Sequence, residues 1–321
     1  TGILDKTTTQ NTAITVSRKM PNMDFVTESE NRLWGCRYGA SINGEIVNEI
    51  YASKLGDFKN WNCFMGISTD SYAATVGTDG QFTGAITHLG YPLFFKENCL
   101  HKVYGNYPAN YQIQTTACRG VQKGCERSLA IVNEVLYYKS RAAICAYDGS
   151  LPQEISYNLG NVEYSKAVAC SHGNKYYISM KDSSDAYHLF VYDAAKGMWH
   201  REDSTNAVAF CECRGDLYYI DYNEDRIKTV RGTGQLLESS IKWEAETGII
   251  GTDAPDKKYV SRIDIRMSLK IGTRVFFYIQ YDSSGEWEHI FTMQGNKLGS
   301  FAVPIIPKRC DHLRLRIEGV G

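Results

Sequence analysis

The most regular pattern in the chain is a unit in which short apolar or alternating segments are separated by turn residues. In its clearest copy the segments are residues 167–170, 175–179 and 188–193, and Trp199 follows them. Short segments that alternate or run apolar between turns are typical of strands, whereas a helical solenoid would show an apolar stripe with a period of roughly 3.6 residues. The unit therefore predicts three strands and the start of a fourth.

The same order of segments occurs on both sides of this copy. The preceding copy comprises residues 129–132, 135–138 and 143–148, and the following copy comprises residues 207–210, 216–220 and 226–230. With Tyr138, Tyr177 and Tyr219 as markers, the steps are 39 and 42 residues, which suit a four-stranded propeller blade. Two earlier units fit with longer loops, at residues 32–52 and 92–104. Residues 1–235 are therefore predicted to form a β-propeller of about five blades, which either closes on itself or belongs to a larger ring.

A different pattern begins after Gly232-Thr233-Gly234. Every second residue is apolar in residues 262–270, and further strand patterns lie at residues 275–279, 301–306 and 313–317. The intervening segments Asp282-Ser283-Ser284-Gly285 and Gly295-Asn296 are turn residues. We therefore predict an all-β chain in which the β-propeller is followed by a small antiparallel β-sandwich, jelly-roll-like, in residues 236–321. Because the chain begins at Thr1 rather than Met and stops soon after the last strand, we expect a fragment of a longer protein with a truncated sandwich.

The whole molecule has almost no net charge and therefore no strong electrostatic field, because it contains 35 Lys plus Arg and 36 Asp plus Glu. Neither nucleic acid nor membrane is therefore predicted as the main partner, and no apolar run approaches the length of a membrane span. From Lys257 onward, however, there are 11 Lys plus Arg and 6 Asp plus Glu. The cations and the acid that strand alternation would expose there are Arg262, Asp264, Arg266 and Lys270, with Arg314 and Arg316 further on. These cations either solvate sheet faces or contact an acidic protein or DNA phosphates.

The ten cysteines are scattered, mostly among apolar strand residues. They predict buried free thiols of a protein made in a reducing cytosol, not a disulfide framework. The nearest pairs are Cys118 with Cys125 and Cys211 with Cys213, and alternation places the second pair on one face of a strand. Neither pair has the spacing of a zinc site. The remaining cysteines are Cys36, Cys63, Cys99, Cys145, Cys170 and Cys310.

Carboxylate pairs are the first candidates for chemistry, because a glycosidase needs two of them about 5 to 9 Å apart across a sugar. Glu244 and Glu246 share a strand face, and the loop that follows holds Asp253 and Asp256. Such groups are more often solvated edge charges. The segment 282–287 resembles the aspartate box of sialidase propellers, but it has one extra residue between Asp and Gly, occurs once and lies outside the blades. It therefore predicts a plain hairpin turn.

Other catalytic signals are weak. No serine lies in a Gly-x-Ser-x-Gly motif, and no metal-ligand spacing joins the seven histidines, which are His88, His101, His172, His188, His200, His289 and His312. Gly77-Thr78-Asp79-Gly80 and Gly232-Thr233-Gly234 lack a lysine and a following helix, and they predict turns. The Tyr-Tyr pairs predict packing between adjacent sheets, not a platform for a sugar or a base. We therefore predict no enzyme activity, no catalytic residue, no cofactor and no metal site.

Several motifs resemble tailed-bacteriophage virion proteins. They are Asn31-Arg32-Leu33-Trp34-Gly35, Ile50-Tyr51-Ala52-Ser53, Leu55-Gly56-Asp57-Phe58-Lys59-Asn60-Trp61, His101-Lys102-Val103-Tyr104-Gly105, Val191-Tyr192-Asp193 with Gly197-Met198-Trp199-His200, and the part from Trp243 through Arg309-Cys310-Asp311-His312. The likeness covers nearly the whole chain and is to the tail hub or stabilisation proteins of prophages from anaerobic, low-GC bacteria.

The resemblance implies a propeller-bearing structural protein at the head-to-tail junction or along the tail, without an enzymatic role. Its expected partners are other virion proteins or further copies of itself. Its expected location is the virion, after assembly in the cytoplasm of the bacterial host.

Two other functions stay open. The many Tyr and Trp residues and the appended sandwich are also compatible with a carbohydrate-binding or glycan-cleaving β-propeller. A third interpretation is weak DNA contact through the basic C-terminal part, which predicts an affinity that falls steeply with salt.

Overall fold

The structure is a computed structural model that describes residues 20–42, 44–230, 242–251, 256–269, 271–295, 298–303 and 305–320. The chain divides into two compact units, Thr1–Gly232 and Thr233–Gly321. This division lies outside the described residues, and the predicted boundary was between residues 235 and 236. Apart from three 3₁₀ turns at Pro108–Asn110, Glu126–Ser128 and Tyr157–Leu159, the regular structure of the described residues is strand. The all-β prediction is confirmed.

The described part of unit 1 contains five antiparallel sheets that follow one another along the chain. Sheet 1 consists of β1 (Phe25–Ser29), β2 (Arg32–Ile42), β3 (Glu45–Ala52) and β4 (Tyr72–Val76). Sheet 2 consists of β5 (Phe82–His88), β6 (Tyr91–Lys96), β7 (Cys99–Tyr104) and β8 (Gln112–Ala117). Sheet 3 consists of β9 (Ala130–Val132), β10 (Val135–Lys139), β11 (Ile144–Tyr147) and β12 (Gln153–Glu154). Sheet 4 consists of β13 (Ser165–His172), β14 (Lys175–Lys181), β15 (Tyr187–Asp193) and β16 (Met198–Arg201), and sheet 5 consists of β17 (Ala207–Cys213), β18 (Asp216–Asp221) and β19 (Arg226–Thr229).

In every one of these sheets a two-residue turn joins the first two strands. In four of the five turns both residues have a positive φ, as at Glu30 (50°) and Asn31 (58°). This is the geometry of type I′ turns, whose twist matches that of the flanking strands. The third residue after each turn occupies an equivalent position, and these residues are Trp34, Leu93, Tyr137, Tyr177 and Tyr218. The unit is therefore a repeat at the level of strand register.

The register corrects one choice made from the sequence. The markers Tyr138, Tyr177 and Tyr219 are not equivalent, because Tyr138 and Tyr219 lie one residue further from the turn than Tyr177. The equivalent tyrosines are separated by 40 and 41 residues instead of 39 and 42. A tyrosine pair hides this one-residue shift, since both of its members are aromatic.

The second strands of sheets 3 and 4 contact both neighbouring sheets through side chains on opposite faces. The ring contacts are Phe95 with Tyr138 at 5.1 Å between sheets 2 and 3, and Tyr137 with Tyr176 at 5.3 Å between sheets 3 and 4. Tyr177 continues the series by packing with Leu217 of sheet 5. Because successive strand residues point to opposite faces, two adjacent aromatics serve two interfaces. The prediction that the Tyr-Tyr pairs pack between sheets is confirmed for Tyr137 and Tyr138, and for Tyr176 and Tyr177.

Replacing Tyr176 by phenylalanine is expected to lower the free energy of unfolding by about 1–2 kcal/mol. The Tyr176 hydroxyl is buried and donates to the Ser128 carbonyl at 2.7 Å, and the variant leaves that carbonyl without its donor. Urea unfolding followed by fluorescence measures the change. The control is Tyr222→Phe, whose side chain is 65% exposed. Equal stabilities of the two variants would show that the bond contributes nothing.

Unit 2 contains one four-stranded sheet and two strand pairs within its described residues. The sheet has the order β20 (Lys242–Glu246), β27 (Leu313–Val320), β23 (Arg274–Tyr281) and β24 (Glu288–Gln294). The pairs are β21 (Lys258–Val260) with β26 (Lys308–Cys310), and β22 (Ile263–Ser268) with β25 (Leu298–Val303). Val275, Phe277 and Met293 are among the buried residues of its core.

The alternation predicted for residues 262–270 is confirmed in β22. Asp264 and Arg266 are exposed, and Ile263 and Ile265 are half-buried, while Lys270 lies outside the described residues. The last strand is longer than predicted, because β27 continues to Val320.

Candidate docking surfaces

One face of sheet 5 is apolar and exposed. The opposite face, with Leu217 and Phe210, packs against sheet 4. The exposed face is lined by Ala209, Cys211, Cys213, Tyr218, Ile220 and Ile227, which we call the sheet 5 surface. Ile227 is 74% exposed and Ile220 is 40% exposed. In sheets 1 to 4 the position of Tyr218 is buried against the next sheet, so this surface presents to solvent a face that the other sheets bury.

The prediction that the cysteines are buried is wrong for the two cysteines of the sheet 5 surface. The ten cysteines form no disulfide among the described residues, and Cys36, Cys99, Cys125, Cys145 and Cys310 are buried. Cys63, Cys118 and Cys170 are only half-buried, and Cys211 and Cys213 are exposed. The last two lie on one strand face as predicted, but that face is the one on the outside of sheet 5. Burial raises the pKa of the Cys118 thiol to about 11, so this cysteine stays protonated at neutral pH.

A second surface is formed by the long loop between β3 and β4, which a buried arginine holds in place. The Arg32 side chain is almost fully buried. Its guanidinium donates to the carbonyl of Ser53 at 2.7 Å, of Asp70 at 2.5 Å and of Ser68 at 2.8 Å. A planar guanidinium with five donors suits this arrangement, since it can reach several acceptors at once. Both ends of the loop are thereby fixed to β2.

The tip of the same loop is closed by Asp70. Its Oδ2 accepts backbone N–H bonds from Met65 at 2.5 Å, Gly66 at 2.6 Å and Ile67 at 3.2 Å. Burial acts to raise the pKa of Asp70, but hydrogen bonds from the Cys63 thiol and from these three N–H groups outweigh it and lower the pKa below its usual value. The carboxylate is therefore charged at neutral pH and fixes the backbone of the tip.

The loop held in this way exposes large apolar side chains. They are Leu55 (41% exposed), Phe58 (61%), Phe64 (63%), Met65 (73%) and Ile67 (48%), which we call the loop surface. Phe64 and Ile67 line a depression together with Tyr107 and Pro108, which lie between β7 and β8. Exposed apolar groups on a fixed backbone lose little conformational entropy on binding, and such patches on soluble proteins mark interaction sites.

The carboxylates proposed from the sequence are engaged in ion pairs. Glu246 accepts from Arg314 at 2.8 Å and from Arg316 at 2.5 Å, and Glu244 lies 3.4 Å from Arg316. The Arg316 guanidinium also lies over the Trp287 ring, 4.4 Å from its centroid. Two carboxylates neutralised on one sheet are poorly suited to opposing general acid and base roles. Asp256 is exposed, and Asp253 lies outside the described residues.

The prediction of a basic C-terminal part does not hold when the net charge is counted over the whole of unit 2. Unit 2 carries 12 Lys plus Arg and 11 Asp plus Glu, because it begins before Lys257 and includes Glu244 and Glu246. The excess counted from Lys257 onward is therefore almost cancelled within the unit. Arg314 and Arg316, two of the predicted outward cations, face carboxylates of their own unit.

In the part of the chain that the structure describes, no group of three or more His, Cys, Asp or Glu could hold a metal ion. His101 is fully buried, with its two ring nitrogens each 2.9 Å from a hydroxyl, of Thr78 and of Thr115. Burial, with a smaller contribution from the Lys96 charge, lowers the pKa of His101 to about 4. His188 pairs with Asp182 at 2.7 Å.

The remaining sequence motifs are turns where they are described. Asp282 and Ser283 have positive φ between β23 and β24, and Asp282 accepts the Asp311 N–H at 2.7 Å, which confirms the hairpin prediction. Gly80 has a φ of 85° between β4 and β5. The segment 232–234 lies outside the described residues. No helix among the residues described is long and apolar enough to cross a membrane.

Comparisons with known proteins give weak similarities. No protein-family model and no curated protein matches the chain. The structure of HIRA(644–1017) has a TM-score of 0.30 and 8% identity, and the match covers 55% of this chain and 53% of that one, so the chain spans about half of its length. An engineered GH43 glycoside hydrolase has a TM-score of 0.30 and 9% identity, over 92% of this chain and 96% of that one. The R1 pyocin fibre of P. aeruginosa has a TM-score of 0.14 and 8% identity, over 95% and 90%. Similarities at this level assign neither a fold nor a function to this chain.

Proposed function

We propose that this protein is a structural component of a tailed-bacteriophage particle, at the head-to-tail junction or the tail hub, and that it acts by docking other proteins without catalysis. The observation that carries the proposal is the loop surface, in which five large apolar side chains are exposed on a backbone fixed by Arg32 and Asp70. The loop also contains part of the sequence that resembles phage virion proteins. The partners are other virion proteins or further copies of this chain, in a virion assembled in the host cytoplasm.

We further propose that the five sheets of unit 1 are successive blades of a β-propeller, either a closed ring of five or part of a larger ring, and that unit 2 is a β-sandwich. The equivalent register of the five hairpins and the aromatic contacts between consecutive sheets support the first part. An electron cryo-microscopy map of the assembled protein tests both. Sheets that do not surround a common axis would contradict the propeller.

Particles from a lysogen that carries this gene provide the test of function. We expect mass spectrometry of purified particles to detect the protein, and gold-labelled antibodies to bind at the tail or at its junction with the head. Particles that lack the protein, from a host that expresses it, would contradict the proposal.

Replacing Phe64 by aspartate is expected to reduce incorporation into particles by about tenfold or more, because burying a charge in an apolar contact costs several times RT. Complementation of a deletion, followed by quantitative mass spectrometry of the particles, measures the effect. Ile46→Asp is the matched control, since Ile46 is 80% exposed on the β2–β3 hairpin, outside the loop surface. Normal incorporation of both variants would show that the loop surface is not a docking site.

A further inference from the structure

Consecutive sheets of unit 1 meet through the same positions of their second strands. Counted from the hairpin turn, the third and fifth residues of the second strand face the following sheet, and the second and fourth residues face the preceding one. Phe95, the fifth residue in sheet 2, contacts Tyr138, the fourth in sheet 3. Tyr137, the third residue in sheet 3, contacts Tyr176, the second in sheet 4. The interfaces between sheets 1 and 2 and between sheets 4 and 5 follow the same rule.

This rule leaves one exposed face at each end of the series. At the end formed by sheet 5, the third and fifth residues are Tyr218 and Ile220 of the sheet 5 surface, and Ile227 beside them is 74% exposed. At the other end, the second and fourth residues of sheet 1 are Leu33 and Gly35, which lie on the face turned away from sheet 2.

The outward face of sheet 1 has an apolar centre. Opposite residues on neighbouring strands share a face, so Gly35 shares it with Val26, Tyr51 and Ala73. Val26 is 50% exposed, Ala73 is exposed, and Tyr51 is half-buried. A Cβ on Gly35 would lie 2.0 Å from the Met23 sulfur, so the glycine lets the Met23 side chain lie on this face. We call Met23, Val26, Leu33, Gly35, Tyr51 and Ala73 the sheet 1 surface.

We propose that the sheet 5 surface of one chain binds the sheet 1 surface of a second copy, head to tail. This contact places third and fifth positions of one sheet against second and fourth positions of the next, as at the interfaces within unit 1. It therefore continues an interface that the chain already builds. The inference goes beyond the proposed docking role, because it rests on strand register and not on the virion assignment.

Other occupants fit the sheet 5 surface less well. Its lining residues carry no charge, so it offers nothing to the phosphates of a nucleic acid or to a charged peptide. Two sheet 5 surfaces facing each other would set third and fifth positions against third and fifth positions, which the interfaces between the described sheets do not do. The sheet 1 surface of the same chain is also exposed, so the five sheets do not bring the two surfaces together.

The contact uses two different surfaces, so each added copy keeps one of them free. Repeated addition builds a closed ring or an open filament instead of stopping at a dimer. The sheet 5 surface spans three short strands, about 14 by 20 Å from ordinary strand spacings. This is smaller than the interface of a stable complex, and we expect a reversible contact with a Kd of about 0.1 mM.

Sedimentation velocity of the full chain from about 0.01 to 1 mM tests the proposal. We expect the unmodified chain to form assemblies larger than a dimer as its concentration rises. Val26→Asp and Ile227→Asp each place a charge in one of the two surfaces, and each variant alone is expected to associate about tenfold more weakly or less. An equimolar mixture of these two variants keeps one intact surface of each kind, so it is expected to form a 1:1 dimer and nothing larger.

Leu151→Asp is the matched control. Leu151 is 53% exposed between β11 and β12, outside both surfaces, and its variant is expected to associate as the unmodified chain does. Circular dichroism of each variant excludes loss of fold as the cause of weaker association.

Three results would overturn the proposal. The first is an unmodified chain that stays monomeric at the highest concentration. The second is association that Val26→Asp leaves unchanged, which would mean that the sheet 1 surface takes no part. The third is a mixture of the two variants that stays monomeric. Association that only Phe64→Asp abolishes would also contradict this contact, but it would leave the docking role of the loop surface standing.

Discussion

Replacing Arg32 by methionine is expected to lower the free energy of unfolding of unit 1 by about 3 kcal/mol. The variant keeps much of the side-chain volume but leaves the carbonyls of Ser53, Ser68 and Asp70 without their shared donor. Each such loss costs about 1 kcal/mol or more where the acceptor stays buried. Urea unfolding followed by tryptophan fluorescence measures the change, and limited proteolysis is expected to cut first between residues 53 and 71.

Arg127→Met is the control for this prediction. Arg127 also donates to a backbone carbonyl, that of Val208 at 2.8 Å, but its side chain is exposed and water can replace it. We expect its loss to cost less than about 1 kcal/mol. The loss of stability in Arg32→Lys is expected to lie between the losses in Arg127→Met and Arg32→Met, because one ammonium group cannot replace the several directed N–H donors of the guanidinium. Similar stabilities of the Arg32 and Arg127 variants would show that the loop does not depend on this anchor.

Acidification from pH 7 to pH 5 is expected to remove about 2 kcal/mol of stability through His101 alone, and about 3 kcal/mol at pH 4. The pKa of His101 is about 4 in the folded chain, against 6.5 for the free side chain. Between these two values the unfolded chain takes up a proton that the folded chain does not. Unfolding therefore becomes easier as pH falls from 6.5 towards 4, and the loss is complete below the folded pKa.

The measurement is urea unfolding at several pH values for the unmodified chain and for His101→Gln. The carboxylates that also lose their partners in acid are common to both proteins, so the difference in slope isolates His101. His200→Gln is the control, because His200 is exposed and faces Glu202 at the surface. An unchanged slope in the His101 variant would contradict the buried, neutral state of this histidine.

The first three strands of each of sheets 3 to 5 could be predicted from the sequence because the pattern that indicates them is local. Each strand is a short apolar segment between turn residues, and the structure places strands β13, β14 and β15 on the segments predicted from residues 167–193. The sheet face on which each tyrosine of a Tyr-Tyr pair lies could not be predicted from the sequence, because a shift of one residue within the pair leaves the apolar pattern unchanged.

The candidate surfaces depend on long-range contacts and were missed. Nothing in residues 53–71 indicates an ordered loop, since its order comes from Arg32, which lies more than twenty positions earlier on β2. The exposure of Cys211 and Cys213 depends on which face of sheet 5 meets a neighbouring sheet. The only available signal was the run of Phe64, Met65 and Ile67 beside glycine, which is unusually apolar for a loop.

Arg32 and Asp70 hold the β3–β4 loop largely through its main-chain atoms. Arg32 and the carboxylate of Asp70 bind carbonyl and amide groups that every amino acid carries. Substitutions at Phe58, Phe64 or Met65 can therefore alter what the surface recognises while its shape is retained. Related chains could adapt to different partners by changing these outward residues and keeping the buried ones, which makes the loop a site where recognition can evolve separately from folding.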